Sequence, residues 1–174
     1  MIRKERYMSW DTYFMAVAFL SSFRSKDSKF QNGACIVNSD KKIVGTGYNG
    51  LPSGCDDKDP EFWEGNDDDT LQVNPRHAYN IHAEKNAILN SKVDIKGSTM
   101  YCIQFPCNIC AQTICQAGIK RLVYMFKKPG HEDVNKYCDK MFNSCSVETI
   151  CYDDLNIKDK EFIEKLKKLN KEMY

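Results

Sequence analysis

A chain of 174 residues, 42% hydrophobic and 28% charged, is long enough to bury a core and too apolar to stay disordered. Its formal net charge of +1 excludes a whole-molecule field that would draw it onto nucleic acid or an anionic membrane. The start MIRKERYMSW has no signal-peptide pattern and the longest apolar run, YFMAVAFL, is too short to span a bilayer. The nine cysteines are therefore read as reduced thiols of a cytoplasmic protein, with the nucleus as the other compartment.

Residues 9–25 read as a first helix, capped by Ser9 or Asp11, with Tyr13, Ala16, Val17 and Leu20 at i, i+3, i+4 and i+7 as its apolar face. GACIVNSDKKIVGTGYNG then reads as a hairpin, with apolar ACIV and IVG on either side of a polar turn. The glycines and proline of GTGYNGLPSG mark a loop. Residues 55–79, acidic and turn-rich, form a surface excursion with at most a short helical piece.

From residue 82 helices and strands alternate. The pattern predicts a helix over 83–91, a strand at 97–103 and a helix from near Cys107 to Ala117 with Gly118 as its C-terminal cap. A strand KRLVYMF, a helix near 132–143 and a strand near 146–151 follow. Alternation of this kind predicts crossover units on a sheet covered on both faces. In the tail, Phe162, Leu166, Leu169 and Met173 recur at helical spacing, as in a helix over 158–172 packed on the flank. The expected fold is a single α/β domain over 1–174, with its core at 9–155.

Two short stretches carry the chemistry. NIHAEKNAI puts His82 and Glu84 one residue apart at a helix start, where they can cap the helix or hold a metal and move a proton. FPCNIC puts Cys107 and Cys110 in a C-x-x-C after a proline, a spacing shared by structural zinc, redox centres and plain helix starts. At a helix N-terminus the dipole favours thiolate, the form zinc binds. The other cysteines are scattered singly and only three histidines exist, so a four-thiolate site has no second pair. His82, Cys107 and Cys110 supply three ligands and leave a fourth position open, the arrangement of catalytic zinc, one ion per chain. Glu84 stands beside them as an unligated proton carrier, and zinc lowers the pKa of bound water towards about 7. H-x-E followed by P-C-x-x-C is the signature of zinc nucleobase deaminases.

YFMAVAFLSSFRSKD, GACIVNSDKKIVGTGYNGLPSG, IHAEKNAI and FPCNICAQTICQAGIKRLVYM together resemble the deoxycytidylate (dCMP) deaminase family, over residues 9–125 and more loosely to 155. GYNGLPSGC is the discriminating segment, because other deaminases with the H-A-E motif, acting on tRNA adenosine or riboflavin precursors, usually lack it. The resemblance implies a three-layer α-β-α domain with a central mixed sheet of about five strands. It also implies zinc-dependent hydrolysis of dCMP to dUMP and ammonia, feeding dTMP synthesis. Attack would fall on C4 of cytosine, with Glu84 protonating N3 and then serving the leaving amine. The Ala83 amide would orient the base, and Asn49 would hold the nucleotide near its sugar.

Arg24 and Lys26 are the candidates for the 5′-phosphate, with a solvated helix end as the other reading of Lys26. Asn86, about one turn beyond His82, is either support for the site or helix packing. Members of the family are typically homohexamers, activated by dCTP and inhibited by dTTP at an interface near the GYNG loop. Tyr48, Gly50, Pro52 and Gly54 are the implied effector contacts, since glycine-rich backbone can approach phosphates closely.

Some relatives carry an Asp-Lys-Tyr-His type segment after the fourth strand. This chain has FKKPGHED there, which leaves the base-side contact to Lys128 or His131. Asn80 is no metal ligand, so no second zinc at Cys55 and His77 is predicted. No stable nucleic-acid partner and no membrane contact are expected. The rivals are a deaminase that also, or preferentially, takes dCTP, a non-catalytic zinc module and a tRNA-editing enzyme. Glu84 argues against the second, and the GYNG loop and small net charge against the third.

Overall fold

The computed structural model describes residues 7–64 and 75–172. β1 (Gly33–Val37) and β2 (Ile43–Tyr48) form an antiparallel hairpin, and β1 also pairs antiparallel with β3 (Thr99–Gln104). β4 (Arg121–Phe126) and β5 (Glu148–Cys151) continue the sheet in parallel, in the order β2-β1-β3-β4-β5. Parallel neighbours need crossovers. The helices at Asn108–Gln116 and Glu132–Ser144 supply them, between β3 and β4 and between β4 and β5. The mixed five-strand sheet is the one expected.

Alternation along the central strands sorts side chains onto two cores. Ala34, Ile36, Met100, Cys102 and Leu122 face one side, with Ala83, Ala87, Ala111, Ile114 and Phe142 packed on them. Cys35, Val37, Tyr101, Ile103, Val123 and Met125 face the other, under Phe14, Met15, Ala18, Phe19, Ile163 and Leu166. Numbered in chain order, α1 is Trp10–Ser22, α2 Pro75–Tyr79, α3 Ala83–Asn90, α4 Asn108–Gln116, α5 Glu132–Ser144 and α6 Lys160–Glu172. α1 and α6 cover the second face; α3, α4 and α5 cover the first. All nine cysteines are free thiols, and Cys35, Cys102, Cys110 and Cys138 are buried as small hydrophobes.

α1 is capped by Ser9, whose hydroxyl oxygen accepts the Thr12 N–H at 3.3 Å. Its buried face differs from the expected one. Of the expected face Ala16 is buried and Val17 packs against the core, but Tyr13 and Leu20 are 43% and 57% exposed, and the helix buries Phe14, Met15, Ala18 and Phe19 as well. YFMAVAFL is apolar around most of its circumference, so helical spacing fits more than one stripe and packing on the sheet decides. The same applies to α6, which buries Leu166 as expected but pairs it with Ile163, while Phe162 and Leu169 stay exposed. Met173 lies outside the described residues. α6 does lie on the flank, against α1, as predicted.

The GTGYNG segment also departs from expectation, because Gly45 to Tyr48 belong to β2 instead of a loop. The glycines are there for close approach. A Cβ on Gly45 would sit 2.4 Å from the Ala87 carbonyl oxygen, and one on Gly47 would sit 2.3 Å from both Ala83 O and Ala87 N. Bare backbone lets α3 lie directly on β2. Asn86 Nδ2 to Tyr48 O at 2.6 Å and Asn90 Nδ2 to Thr46 O at 3.1 Å seal that contact. Helix packing is therefore what Asn86 does.

Gly118, at φ 74°, ends α4 as predicted, donating its N–H to Cys115 O. In the acidic excursion a 3₁₀ turn at Pro60–Phe62 meets α2 through edge-to-face packing of Phe62 on Tyr79; residues 65–74 of the excursion lie outside the described residues. Among the described residues no helix is long and apolar enough to cross a membrane.

Candidate active site

Two helices begin at one place on the first face. His82 and Cys107 are the N-cap residues of α3 and α4, both with extended backbone, and neither side chain caps its helix. They turn towards each other instead. His82 Nδ1 lies 3.4 Å from Cys107 Sγ and 3.4 Å from Cys110 Sγ, and the three ligand atoms all fall within 4.8 Å of one another. Tetrahedral zinc, with bonds of about 2.3 Å to sulfur and about 2.0 Å to nitrogen, sets a nitrogen–sulfur separation of about 3.5 Å. The donor set therefore fits that ion. The capping reading of His82 fails, since its side chain makes no cap bond.

The local sequence explains the convergence. Ile81 and Gly50 form an isolated antiparallel bridge, N–H to carbonyl in both directions at 2.9 and 3.1 Å, which delivers His82 to the end of β2. Ala83 and Ala87 are small enough to bed α3 on Gly45 and Gly47. Pro106 stops the extended chain after β3 and its carbonyl accepts the Cys138 thiol at 3.4 Å from α5. Two helix N-termini, each with unpaired N–H groups, then point at the thiol pair.

Left to themselves, the three ligand groups share protons unequally. The Cys110 thiol donates to Cys107, His82 adds a second hydrogen bond and a positive charge, and together they pull the Cys107 pKa down to about 3 against burial. The resulting thiolate, more than the nearby Glu84, raises His82 to about 9, again against burial. Cys110 keeps its proton, held up first by that thiolate and then by burial.

Glu84, in the first turn of α3, is 2% exposed. Burial raises its pKa, with the charge of His82 opposing. Its Oε2 is buried and has no partner among the described residues. Such an acid, next to three ligands, suits metal-activated hydrolysis and has no use in a structural zinc site.

The other predicted residues are placed as follows. Asn49 is buried at the end of β2, beside the bridge of Gly50 to Ile81. Ala83 opens α3, so its N–H lacks an intrahelical acceptor. Tyr48 is exposed, Pro52 partly buried, and Gly54 exposed at φ 100°. Lys26 is ion-paired with Asp57 of the excursion. Arg24 is exposed, and its guanidinium has no bond or ion pair among the described residues. Lys128 is exposed and His131 is the N-cap of α5; the neighbouring Lys127, not among the predicted residues, lies over the Phe105 ring at 4.2 Å and pairs with Asp139 at 2.9 Å.

Three residues whose part sequence reasoning missed join this neighbourhood. Asp27 is buried and accepts from both Asn49 and Asn80, and Ser25 donates its hydroxyl to Asn49 O at 2.8 Å. The one sequence signal was the Asx turn begun by DSKF, where Asp27 accepts the N–H of Lys29.

A mixed sheet sandwiched by helices, with this ligand set and acid at two helix starts, defines a hydrolytic deaminase of the cytidine deaminase-like class. Residues 8–126 match the cytidine and deoxycytidylate deaminase zinc-binding region, and the chain belongs to that family. It is 47% identical to the deoxycytidylate deaminase of Homo sapiens over 146 residues, 83% of this chain and 80% of that protein. To the deoxycytidylate deaminase of Mus musculus it is 50% identical over 127 residues, 72% and 70% of the two chains. Among solved structures it is similar to the dCMP deaminase of cyanophage S-TIM5 in complex with dCMP and dUMP, with TM-score 0.62 and 26% identity over 83% of this chain and 99% of that one.

Proposed function

We propose that the protein hydrolyses dCMP to dUMP and ammonia with one zinc ion per chain, held by His82 Nδ1, Cys107 Sγ and Cys110 Sγ. The observation that carries the chemistry is the buried Oε2 of Glu84, without a partner among the described residues, beside those ligands. The similarity to proteins named deoxycytidylate deaminase supports the substrate. When bound, zinc supplies Lewis-acid activation of the attacking water.

Glu84 performs the proton traffic. Burial raises its proton affinity, so it can accept the proton of the attacking water and hold it. It delivers that proton to N3 of cytosine as the new C4–O bond forms. It then takes the remaining proton of the new C4 hydroxyl and passes it to the exocyclic nitrogen as the C4–N bond breaks, so that C4 keeps a carbonyl oxygen and ammonia leaves. The Ala83 N–H orients the base, Asn49 holds the sugar, and Arg24 takes the 5′-phosphate. Lys26 contributes there only once Asp57 releases it. Activation by dCTP and inhibition by dTTP at Tyr48, Gly50, Pro52 and Gly54, a homohexameric assembly and a cytoplasmic role supplying dUMP for dTMP synthesis complete the proposal.

Purified protein with zinc, incubated with dCMP, dCTP, deoxycytidine and CMP, should release ammonia fastest from dCMP. No release from any of them, with dCTP also tried as activator, would sink the reading. Glu84→Gln should keep its zinc and lose at least about 100-fold in kcat; an active variant would remove Glu84 as the proton carrier. Added dTTP should slow dCMP hydrolysis and dCTP restore it, and indifference to both removes the regulatory part.

A further inference from the structure

Asp27 is a carboxylate 3% exposed, on a turn that follows α1, and hydrogen bonds tie it to segments flanking the site. Its Oδ1 accepts the N–H groups of Lys29 at 2.9 Å and Phe30 at 3.1 Å. Its Oδ2 accepts Nδ2 of Asn49 at 3.2 Å and Nδ2 of Asn80 at 3.3 Å. Asn49 and Asn80 sit on either side of the bridge that joins Gly50 to Ile81. One carboxylate thus gathers three stretches of chain, the last of which runs directly into His82.

The consequence for Asn49 is chemical as well as mechanical. Its second Nδ2 hydrogen goes to the Phe30 carbonyl at 3.0 Å, and its Oδ1 accepts the Asn32 N–H at 2.7 Å. Both amide hydrogens are consumed by the protein, and one lone pair on Oδ1 remains. A flipped amide would set Oδ1 against the Asp27 carboxylate and the Phe30 carbonyl, acceptor against acceptor, so the network fixes the orientation. Asn49 can accept a hydrogen bond from a ligand and cannot donate one. Asn80 is oriented likewise, with Nδ2 on Asp27 and a buried Oδ1 that has no partner among the described residues.

We propose that Asp27 is a positioning residue of the nucleotide site, whose carboxylate locks the Asn49 amide so that it presents only an acceptor and thereby selects a sugar hydroxyl. This rests on the proposal that Asn49 contacts the sugar. Asp27 itself touches no ligand. Its effect passes through the amides it holds, and it shows as substrate affinity and hydroxyl discrimination instead of as chemistry at C4.

The test uses full-length zinc-loaded protein, dCMP, and 2′,3′-dideoxycytidine 5′-monophosphate, which lacks the 3′-hydroxyl. Wild type should lose at least about tenfold in kcat/KM on the dideoxy nucleotide, because Oδ1 is left unpaired. Asp27→Asn keeps the size of the side chain but turns an NH₂ towards Asn49 and Asn80 or gives up the turn. That variant should raise KM for dCMP about tenfold, keep kcat within about threefold, and discriminate the two nucleotides by less than about threefold. Wild-type discrimination in Asp27→Asn, or a loss confined to kcat, overturns the inference.

If Asp27→Asn folds poorly, the double variant with Asn49→Ala decides. It should be no worse in kcat/KM per folded molecule than Asn49→Ala alone, whereas multiplied losses refute action through Asn49. A wild type that deaminates both nucleotides equally removes the sugar contact and this inference, leaving the deaminase standing. A wild type inert towards dCMP refutes the proposed function itself.

Discussion

Replacing Gly47 by alanine should push α3 off β2 and carry Glu84, the proposed proton carrier, with it. The new Cβ would lie 2.3 Å from Ala83 O, 2.3 Å from Ala87 N and 2.8 Å from Asn86 C. Ordinary carbon contacts begin at about 3.5 Å, so the helix must retreat by about 1 Å. Every obstructing atom is backbone, and no rotamer change relieves it. Overpacking of that kind costs about 1–3 kcal/mol, and the absence of any flexible neighbour puts this case near about 3 kcal/mol. For a chain of this size the unfolding midpoint should fall by about 6–12 °C. A displacement of Ala83 and Glu84 by about 1 Å should lower kcat about 100-fold. Scanning calorimetry and ammonia release, the latter well below the lowered midpoint with zinc content measured, give both numbers. A midpoint within about 2 °C of wild type and kcat within about threefold would refute direct backbone packing as the reason for this glycine.

Asp159 accepts Ser9 N at 2.8 Å, Ser9 Oγ at 3.0 Å and Thr12 Oγ1 at 2.9 Å, fastening the start of α6 to the start of α1 on the sheet face away from the site. Asp159→Asn should cost about 2 kcal/mol and leave dCMP turnover intact. Burial opposes ionisation of this carboxyl, but those hydrogen bonds outweigh it and hold its pKa below the unfolded value. Its stabilisation is then complete above about pH 4 and is lost as pH falls through the folded pKa, so the midpoint gap between the two proteins should close in acid; a constant gap would contradict the assignment. At the metal site, His82 holds its proton up to about 9 and Cys110 holds one as well. Zinc must displace both, so affinity should rise with pH by up to about tenfold per pH unit for each proton displaced. Competition with a chromogenic chelator between about pH 6 and pH 8.5 measures it, and an affinity flat across that range would be inconsistent with protons held on His82 and Cys110.

The clustering of His82, Cys107 and Cys110 was legible in the sequence because their spacing is tied to helix starts. H-x-E and P-C-x-x-C each put a ligand at an N-cap and a second group in the first turn, and that geometry is local. The strand and helix alternation from residue 82 onward was legible for the same reason. Which stripe of α1 and α6 is buried was not, because an all-round apolar or strongly amphipathic helix offers neighbouring stripes that the sheet chooses between. The glycines of β2 misled for a related reason. Local propensity reads Gly as a loop, while here a helix backbone lies against it.

Residue type and separations of two or three positions were thus enough to single out the candidate site: the proposed ligands His82, Cys107 and Cys110, the acid Glu84 and the helix starts that bring them together. How the site is held is a matter of tertiary packing. Asn49 and Asn80 lie 22 and 53 residues from Asp27 along the chain, and a carboxylate in a polar run carries no local mark of burial. The role of Asp27 follows from the bridge of Gly50 to Ile81 and the turn after α1 arriving at the same point. That is a long-range pairing, set by how the sheet and α3 pack, and no short-range pattern encodes it.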